Sequence, residues 1–337
     1  MLIFVLILPV KVLVAAHAGG SRPTVHNSIL IKMVQTKLIK EIAEEVGFDL
    51  CGITRVRNFD AEQRFFTQWL EHGMHGGLTY LERNIDKRFD ASLLVPGARS
   101  VIVCAVAYKN AFSIPADTTC DYPQIASYAV SRDYHDTIKY MLRLMTDRLQ
   151  QLFGSFAFRT FVDTAPLAEK LLAADAGLGF IGRNKLLVSP RFGSYLLLGE
   201  IVSELEPDTF DTHYAGPGCG NCQRCEQNCP VGALTPVGLD ARRCISRLTV
   251  EHNAASVAEC HGWIFGCDEC QRACPYNDSA PLATNRLFEP VVDPRTLSRE
   301  AWFDMSDEQF AHLFGQTPMS RSNLAKIKLI LQQEQDS

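Results

Sequence analysis

The chain has 337 residues, 47% of them hydrophobic and 21% charged, with a formal net charge of −5 at pH 7. That length supports about two domains, each large enough to bury a core, and the composition is that of a globular protein. A net negative chain does not advertise nucleic-acid binding as a whole, although a local basic face is not excluded.

In chain order, residues 1–16 (MLIFVLILPVKVLVAA) are mostly apolar, and Ala16-His17-Ala18 before Gly19 has the form of a signal cleavage site. No positive region precedes the run, Pro9 and Lys11 interrupt it, and it is too short for a membrane span. Residues 1–33 are therefore read as a non-native or signal-like extension, with Met33 the working start. From Gln35 to Val46 the apolar residues Leu38, Ile39, Ile42, Ala43 and Val46 recur at helical spacing, and Gly47 follows as a helix-ending glycine. Phe48 to Thr54 reads as a strand, Glu62 to Glu71 as a helix, and His72 to Gly77 as a glycine-rich loop. Ser100 to Ala107 is a nearly continuous apolar strand, the pattern of a strand covered on both faces. The next helix is expected to open within Ala126 to His135 and to run to about Phe153. Phe158 to Asp163 reads as a strand ending on a carboxylate, and Pro166 to Ala176 as a helix. Lys185 to Ser189 is a further strand, for which Gly193 to Glu200 is the expected partner. Arg299 to Phe314 and Ser322 to Gln333 read as C-terminal helices.

The chemistry concentrates between Cys219 and Cys274. The first run, Cys219-Gly-Asn-Cys222-Gln-Arg-Cys225-Glu-Gln-Asn-Cys229-Pro230, has the C-x2-C-x2-C-x3-C-P spacing of a bacterial two-cluster ferredoxin. The second, Cys267-Asp-Glu-Cys270-Gln-Arg-Ala-Cys274-Pro275, matches if its leading cysteine is displaced upstream to Cys244. In this motif three close thiolates hold one cubane and the fourth reaches the other. One [4Fe-4S] cluster then takes Cys219, Cys222, Cys225 and Cys274, and the other Cys229, Cys244, Cys267 and Cys270. Two C-x2-C units alone would also suit zinc, but a zinc ribbon has no use for eight cysteines with two Cys-Pro endings. The other four cysteines, Cys51, Cys104, Cys120 and Cys260, follow no pattern. Oxygen-sensitive clusters and unbridged thiols point to a reducing cytoplasm.

Outside the cysteines the signals are weaker. Gly177-x-Gly-x-x-Gly182 follows a helix and precedes a strand, the reverse of a dinucleotide fingerprint, and is read as turns and close packing. Asp163 reads first as the cap of the Pro166 helix. Asp133, Tyr134 and His135 group a carboxylate, a phenol and an imidazole at a helix start. His252 and His261 are read as surface or core residues.

Several stretches together resemble one family. They are Ser127-Tyr-Ala-x-x-Arg-Asp-Tyr-His135, Phe161-Val-Asp-Thr-Ala-Pro166, Ala176-Gly-Leu-Gly-Phe-Ile-Gly-Arg-Asn184, Gly193-Ser-x-x-x-Leu-Gly-Glu200, Ala241-Arg-Arg-Cys-Ile-Ser246 and Gly266-Cys-Asp-x-Cys-Gln-x-x-Cys-Pro275. From about residue 34 to 280 the chain resembles the epoxyqueuosine reductases, which complete queuosine synthesis in tRNA. The resemblance implies an α+β fold: an α/β-like cobalamin- and substrate-binding domain over 34–210, a ferredoxin-like 2×[4Fe-4S] domain over 211–285, and a helical segment over 286–337. It implies base-off cob(II)alamin beside the two clusters, an external low-potential donor of flavodoxin or ferredoxin type, epoxyqueuosine-bearing tRNA as substrate, a cytoplasmic monomer and no membrane attachment.

By motif position the resemblance places the general acid at Asp163, with Asp133 second, and cobalamin contacts at Arg83, Ser127, Asp163, Leu187, Leu198 and Ser246. An acid working near neutral pH is expected to have a raised pKa, from burial beside the corrin. The chain departs from the family pattern at Arg247, where tyrosine is common, and at Tyr276-Asn277 after Cys274-Pro275. It resembles the short form, without a C-terminal helical-repeat domain. Arg321, Lys326, Lys328, Arg242 and Arg243 are candidates for phosphate contact, weighed evenly against ordinary solvated residues. The competing readings are a cobalamin-dependent reductase of reductive-dehalogenase type and a ferredoxin-type electron carrier. A carrier does not need the roughly 180 residues ahead of the clusters.

Overall fold

The computed structural model describes residues 34–114, 122–235, 238–251 and 260–335. The 1–33 extension with its working start, Cys120 and His252 lie outside the described residues.

The sheet is built round the apolar run. Leu50–Arg55 (β1), Ser100–Ala107 (β2), Phe158–Phe161 (β3) and Leu196–Ser203 (β4) form one sheet in the order β1-β2-β4-β3. Every pairing in it is antiparallel. All eight residues of β2 are buried, because both sheet faces are covered. Ile102, Cys104 and Val106 pack with Ile39 and Ile42 of the helix Thr36–Val46 and with Ile138 and Leu142 of the helix Tyr134–Phe153. Val101, Val103 and Ala105 face the other way, onto Phe89, Leu172 and Ala173. The period-two alternation of a strand thus serves two cores at once. The fold is α+β, as expected, with an antiparallel sheet in place of the parallel one that a two-faced apolar strand suggests.

Several element boundaries differ from expectation. The helix expected to open near Ala126 starts at Tyr134, because Asp133 caps it by accepting from the His135 backbone N–H; Ser127–Val130 is a separate 3-10 turn. The helix expected from Pro166 starts at Glu169 after Ala168. Gly193 to Glu200 does not pair with Lys185 to Ser189 as a strand. The two segments meet in the single bridge Ser189↔Gly193, while β4 gains an eight-residue ladder with β2. Leu187–Val188 folds back on Phe180–Ile181 instead, through a turn in which Lys185 takes φ 63°. The Gly177–Gly182 stretch serves this packing: a Cβ at Gly179 would stand 2.2 Å from the Val188 carbonyl oxygen. The expected helix Arg299 to Phe314 is two helices, Arg299–Asp304 and Asp307–Phe314, broken where Ser306 and Gln309 form a capping box.

The C-terminal helices complete a further core. Trp302, Phe314, Ile327 and Leu331 pack with Trp263, Ile264 and Phe265, and with Ile125, Ala129 and Val130. This anchors the segment bearing the second cysteine run against the Ser127–Val130 turn and delivers Arg321 to the start of the Tyr134 helix. Among the described residues no helix is long and apolar enough to cross a membrane.

Candidate active site

The eight cysteines of the two runs are all unbridged. Their mutual influence falls into two sets. Burial pushes the thiols of Cys225 and Cys274 up, and the neighbours that add to it are Cys219 and Cys274 for Cys225, and Cys219 and Cys222 for Cys274. In the other set burial raises Cys244, Cys267 and Cys270, with Cys229 acting on Cys244, Cys244 acting on Cys267, and both Cys267 and Cys244 acting on Cys270. Cys225 also reaches Cys270, so the sets adjoin. Backbone N–H groups already point at two of the sulfurs: Arg183 N donates to Cys219 Sγ at 3.4 Å and Ala233 N to Cys229 Sγ at 3.2 Å. Such donors favour a sulfur that carries charge, as a metal-bound thiolate does. Among the described residues no three His, Cys, Asp or Glu side chains converge tightly enough to hold one metal ion. Cys229, Cys244, Cys267 and Cys270 instead line a cavity of about 290 Å³.

That cavity extends past the thiols. Its wall includes Tyr108, Tyr128, Asn184, Leu186, Ser246 and Gln271. Asn184 is buried, and its Nδ2 has no partner, a donor left for an occupant. The Tyr128 ring packs edge-on against Tyr134 at 6.1 Å and against Tyr108 at 6.5 Å. Tyr134 in turn donates its hydroxyl to Asp163 Oδ2 at 2.7 Å. A continuous line of contacts therefore joins the thiol-lined cavity to Asp163.

Asp163 is no helix cap. It sits beyond the end of β3 with φ 55°, six residues before Glu169. Its side chain, 56% exposed, meets Tyr134 and His135, whose Nε2 lies 3.3 Å from Asp163 Oδ2. The expected raised pKa is not found. The hydrogen bond from His135 comes first and outweighs burial, and with Tyr134 it holds the Asp163 carboxyl below its usual value. Asp133 is pushed up by burial but pulled down further, to about 2, by hydrogen bonds from His135 and the charge of Arg321. Burial works to lower His135, yet its bonds to Asp133 and Asp163 win and raise it. These shifts all favour the form in which the imidazole carries a proton between two carboxylates.

The remaining predicted contacts scatter. Ser246 lines the cavity. Leu187 is buried in the short hairpin and Leu198 half-buried in β4. Arg83 is exposed. Ser127 is fully buried, and both its N–H and its hydroxyl donate to Asp268 Oδ2 at 2.8 Å. Ser127 is therefore spent on fixing the loop of the second cysteine run rather than open to an occupant. Of the basic residues, Lys326 is buried and Lys328 Nζ donates to the carbonyls of Phe303 and Met305, so neither presents a cation to phosphate. Arg242 pairs with Asp240 at 2.8 Å, Arg321 joins His135 and Asp133, and Arg243 is exposed. Arg247, at the position where tyrosine is common, ties the glycine-rich loop by donating to the Gly76 carbonyl.

Sequence reasoning missed Glu169 and Glu200. Glu200 is 0% exposed in β4, and a glutamate closing an apolar strand was a signal that could have found it. Glu169 accepts the Asp163 backbone N–H at 2.5 Å.

Comparison with known proteins finds matches to the segments that carry these residues. The family described as "Epoxyqueuosine reductase QueG, DUF1730" matches residues 88–164, the stretch holding Asp133, His135 and Asp163. The 4Fe-4S double cluster binding domain matches residues 218–277, which holds all eight cysteines. The epoxyqueuosine reductase of Leadbetterella byssophila is 35% identical over 299 residues, covering 87% of this chain and 96% of its own. The structure of epoxyqueuosine reductase from Streptococcus thermophilus superposes with a TM-score of 0.77 at 28% identity, covering 88% of this chain and 80% of that one. A crystal structure of epoxyqueuosine reductase with an epoxyqueuosine-modified tRNA-Tyr stem loop superposes with a TM-score of 0.76 at 28% identity, with the same coverage. By its architecture, its double-cluster segment and its likeness to a relative along nearly that relative's whole length, the chain belongs to the epoxyqueuosine reductase family.

Proposed function

We propose that this chain reduces epoxyqueuosine to queuosine in the anticodon loop of tRNA, the last step of queuosine biosynthesis. The observation that carries the reading is the unbroken line of contacts from a cavity lined by four thiols, through Tyr128 and Tyr134, to Asp163. Electron-handling groups at one end and a proton-handling cluster at the other are what removal of an epoxide oxygen requires. Both C–O bonds of the ring break, a C=C bond forms, and the oxygen leaves as water with two electrons and two protons.

In this reading Cys219, Cys222, Cys225 and Cys274 hold one [4Fe-4S] cluster and Cys229, Cys244, Cys267 and Cys270 the other. Cobalamin would be held beside the cavity by Ser246 and Asn184, which line it, with the backbone near Leu187 and Leu198, outside that lining, as further candidate contacts. When bound, these groups supply the two electrons, drawn from an external low-potential donor. Solvent reaching the exposed Asp163 supplies one of the two protons, and the protein's own residues manage the other. His135 stores it, Asp163 passes it to the departing oxygen, and Tyr134 and Asp133 orient the pair. Asp163 is thus an acid recharged from an imidazolium rather than one kept neutral by burial. Its exposure leaves it open to a base splayed out of the loop. A monomer working in the cytoplasm, where tRNA resides, fits this role.

The test is anaerobic. Protein reconstituted with iron, sulfide and cobalamin receives a strong one-electron donor and tRNA carrying epoxyqueuosine, and the nucleosides are then analysed. Queuosine should appear. Intact clusters and bound corrinoid without conversion would mean that the substrate is another one.

A further inference from the structure

Glu200 stands in β4 opposite Val103 of β2 and Phe161 of β3, with no exposure to solvent. As an ionised carboxylate, which can only accept, it has no hydrogen-bond partner for either oxygen. An isolated carboxylate in such a place is too costly to persist. The side chain that faces it is Glu169, from the first turn of the helix Glu169–Asp175. Two facing carboxylates repel, whereas one proton between them removes the repulsion and makes a hydrogen bond. The position of that proton follows from the other partners. Glu169 already accepts the Asp163 N–H at 2.5 Å, and the charges of Lys170 and Arg88 lie close to it. Glu200 has neither, and it faces the Asp163 charge. The chain of bonds then runs from the Glu200 hydroxyl to the Glu169 carboxylate, which also takes the N–H of Asp163. Asp163 meanwhile holds a left-handed backbone, φ 55°, which a non-glycine residue keeps only when its surroundings enforce it.

We propose that Glu169 and Glu200 share a single proton and that this pair is the latch holding Asp163 in its working position, as positioning residues that do not touch substrate. The inference rests on the reading of Asp163 as the acid. Burial raises both groups, Glu169 to about 7 and Glu200 well above its usual value. Glu169 therefore ionises first, and the one-proton state prevails as pH rises past about 7.

The test uses full-length reconstituted protein at about pH 8, above the value to which Glu169 is raised and on the side where the one-proton state of the pair is expected. Infrared difference spectra should contain the C=O band of a protonated carboxyl in wild type and in Asp163→Asn, and lack it in Glu200→Gln. The glutamine amide donates to Glu169 as the shared proton did, so Glu200→Gln should keep kcat within about threefold, whereas Glu200→Leu should lose more than about tenfold in kcat with KM for tRNA unchanged. A wild-type spectrum without that band, or a Glu200→Leu protein with wild-type kcat, overturns the latch. Activity surviving in Asp163→Asn would instead remove Asp163 as the acid, while the band would still report on the pair.

Discussion

Nε2 of His135 stands 3.3 Å from Oδ2 of Asp163, and the same nitrogen lies 3.1 Å from a guanidinium nitrogen of Arg321. One ring nitrogen thus faces an acceptor and a donor. Protonated, it donates to Asp163; deprotonated, it accepts from Arg321. Nδ1 is held by Asp133 at 2.8 Å in either state. The cluster is a two-position device whose state decides whether Asp163 has a proton source beside it.

Asp163→Asn removes the proposed acid and keeps the shape. Conversion of epoxyqueuosine should fall by at least about 100-fold, the usual weight of a general acid. KM for the tRNA and the iron content should stay as in wild type, measured by steady-state kinetics and metal analysis.

The pH dependence of stability follows from two opposite shifts. His135 is raised above 6.5, so its contribution is complete below 6.5 and fades as pH rises through the folded value. Asp133 is lowered from 3.8 to about 2, so its contribution is complete above 3.8 and fades as pH falls toward 2. The Tm difference between wild type and His135→Gln should therefore be widest between these limits and narrow on both sides. A difference that is flat across a series of buffered melts would contradict the ion cluster.

Arg321→Gln withdraws a cation whose charge opposes protonation of His135. The imidazole should then titrate at higher pH than in wild type, read by NMR of the His135 ring. If Arg321 acts through His135 in this way, the alkaline limb of the rate profile should move in the same direction.

Cys244→Ser should cost the protein about one of its two clusters, close to four of about eight irons. Cys51→Ser, on β1, should leave the iron content intact. Iron and sulfide analysis after anaerobic reconstitution separates these outcomes. Equal iron in the two variants would reject Cys244 as a ligand.

Gly179→Ala would set a methyl group 2.2 Å from the Val188 carbonyl. Overpacking against backbone should cost about 2–3 kcal/mol, seen as a lower Tm in thermal melts. A loss of that kind, from a glycine in a dinucleotide-like pattern, distinguishes packing from cofactor binding.

Much of the site was written locally in the chain. Eight cysteines at fixed spacings point to two ligand sets because a cubane demands three thiolates from one tight turn and a fourth from elsewhere, whereas Asp163 reads locally as a helix cap and is marked as an acid only by the family resemblance of the Phe161–Pro166 motif. The apolar run at Ser100–Ala107 marked the central strand, since covering both faces leaves no polar alternation. Tertiary structure alone decided the direction in which the Asp163 carboxyl is shifted. Burial would raise its pKa, but His135 and Tyr134 arrive from another helix and reverse the sign. It also decided that β4 lies between β2 and β3 rather than beside the nearer hairpin, that Ser127 is spent on Asp268, and that Lys328 is turned inward. Arg321 and His135 are 186 residues apart, and Glu200 meets Glu169 across a sheet and a helix. Contacts of this separation depend on how the cores close, because the field at a charged group is set by whatever packs beside it, and chain order does not say what that is.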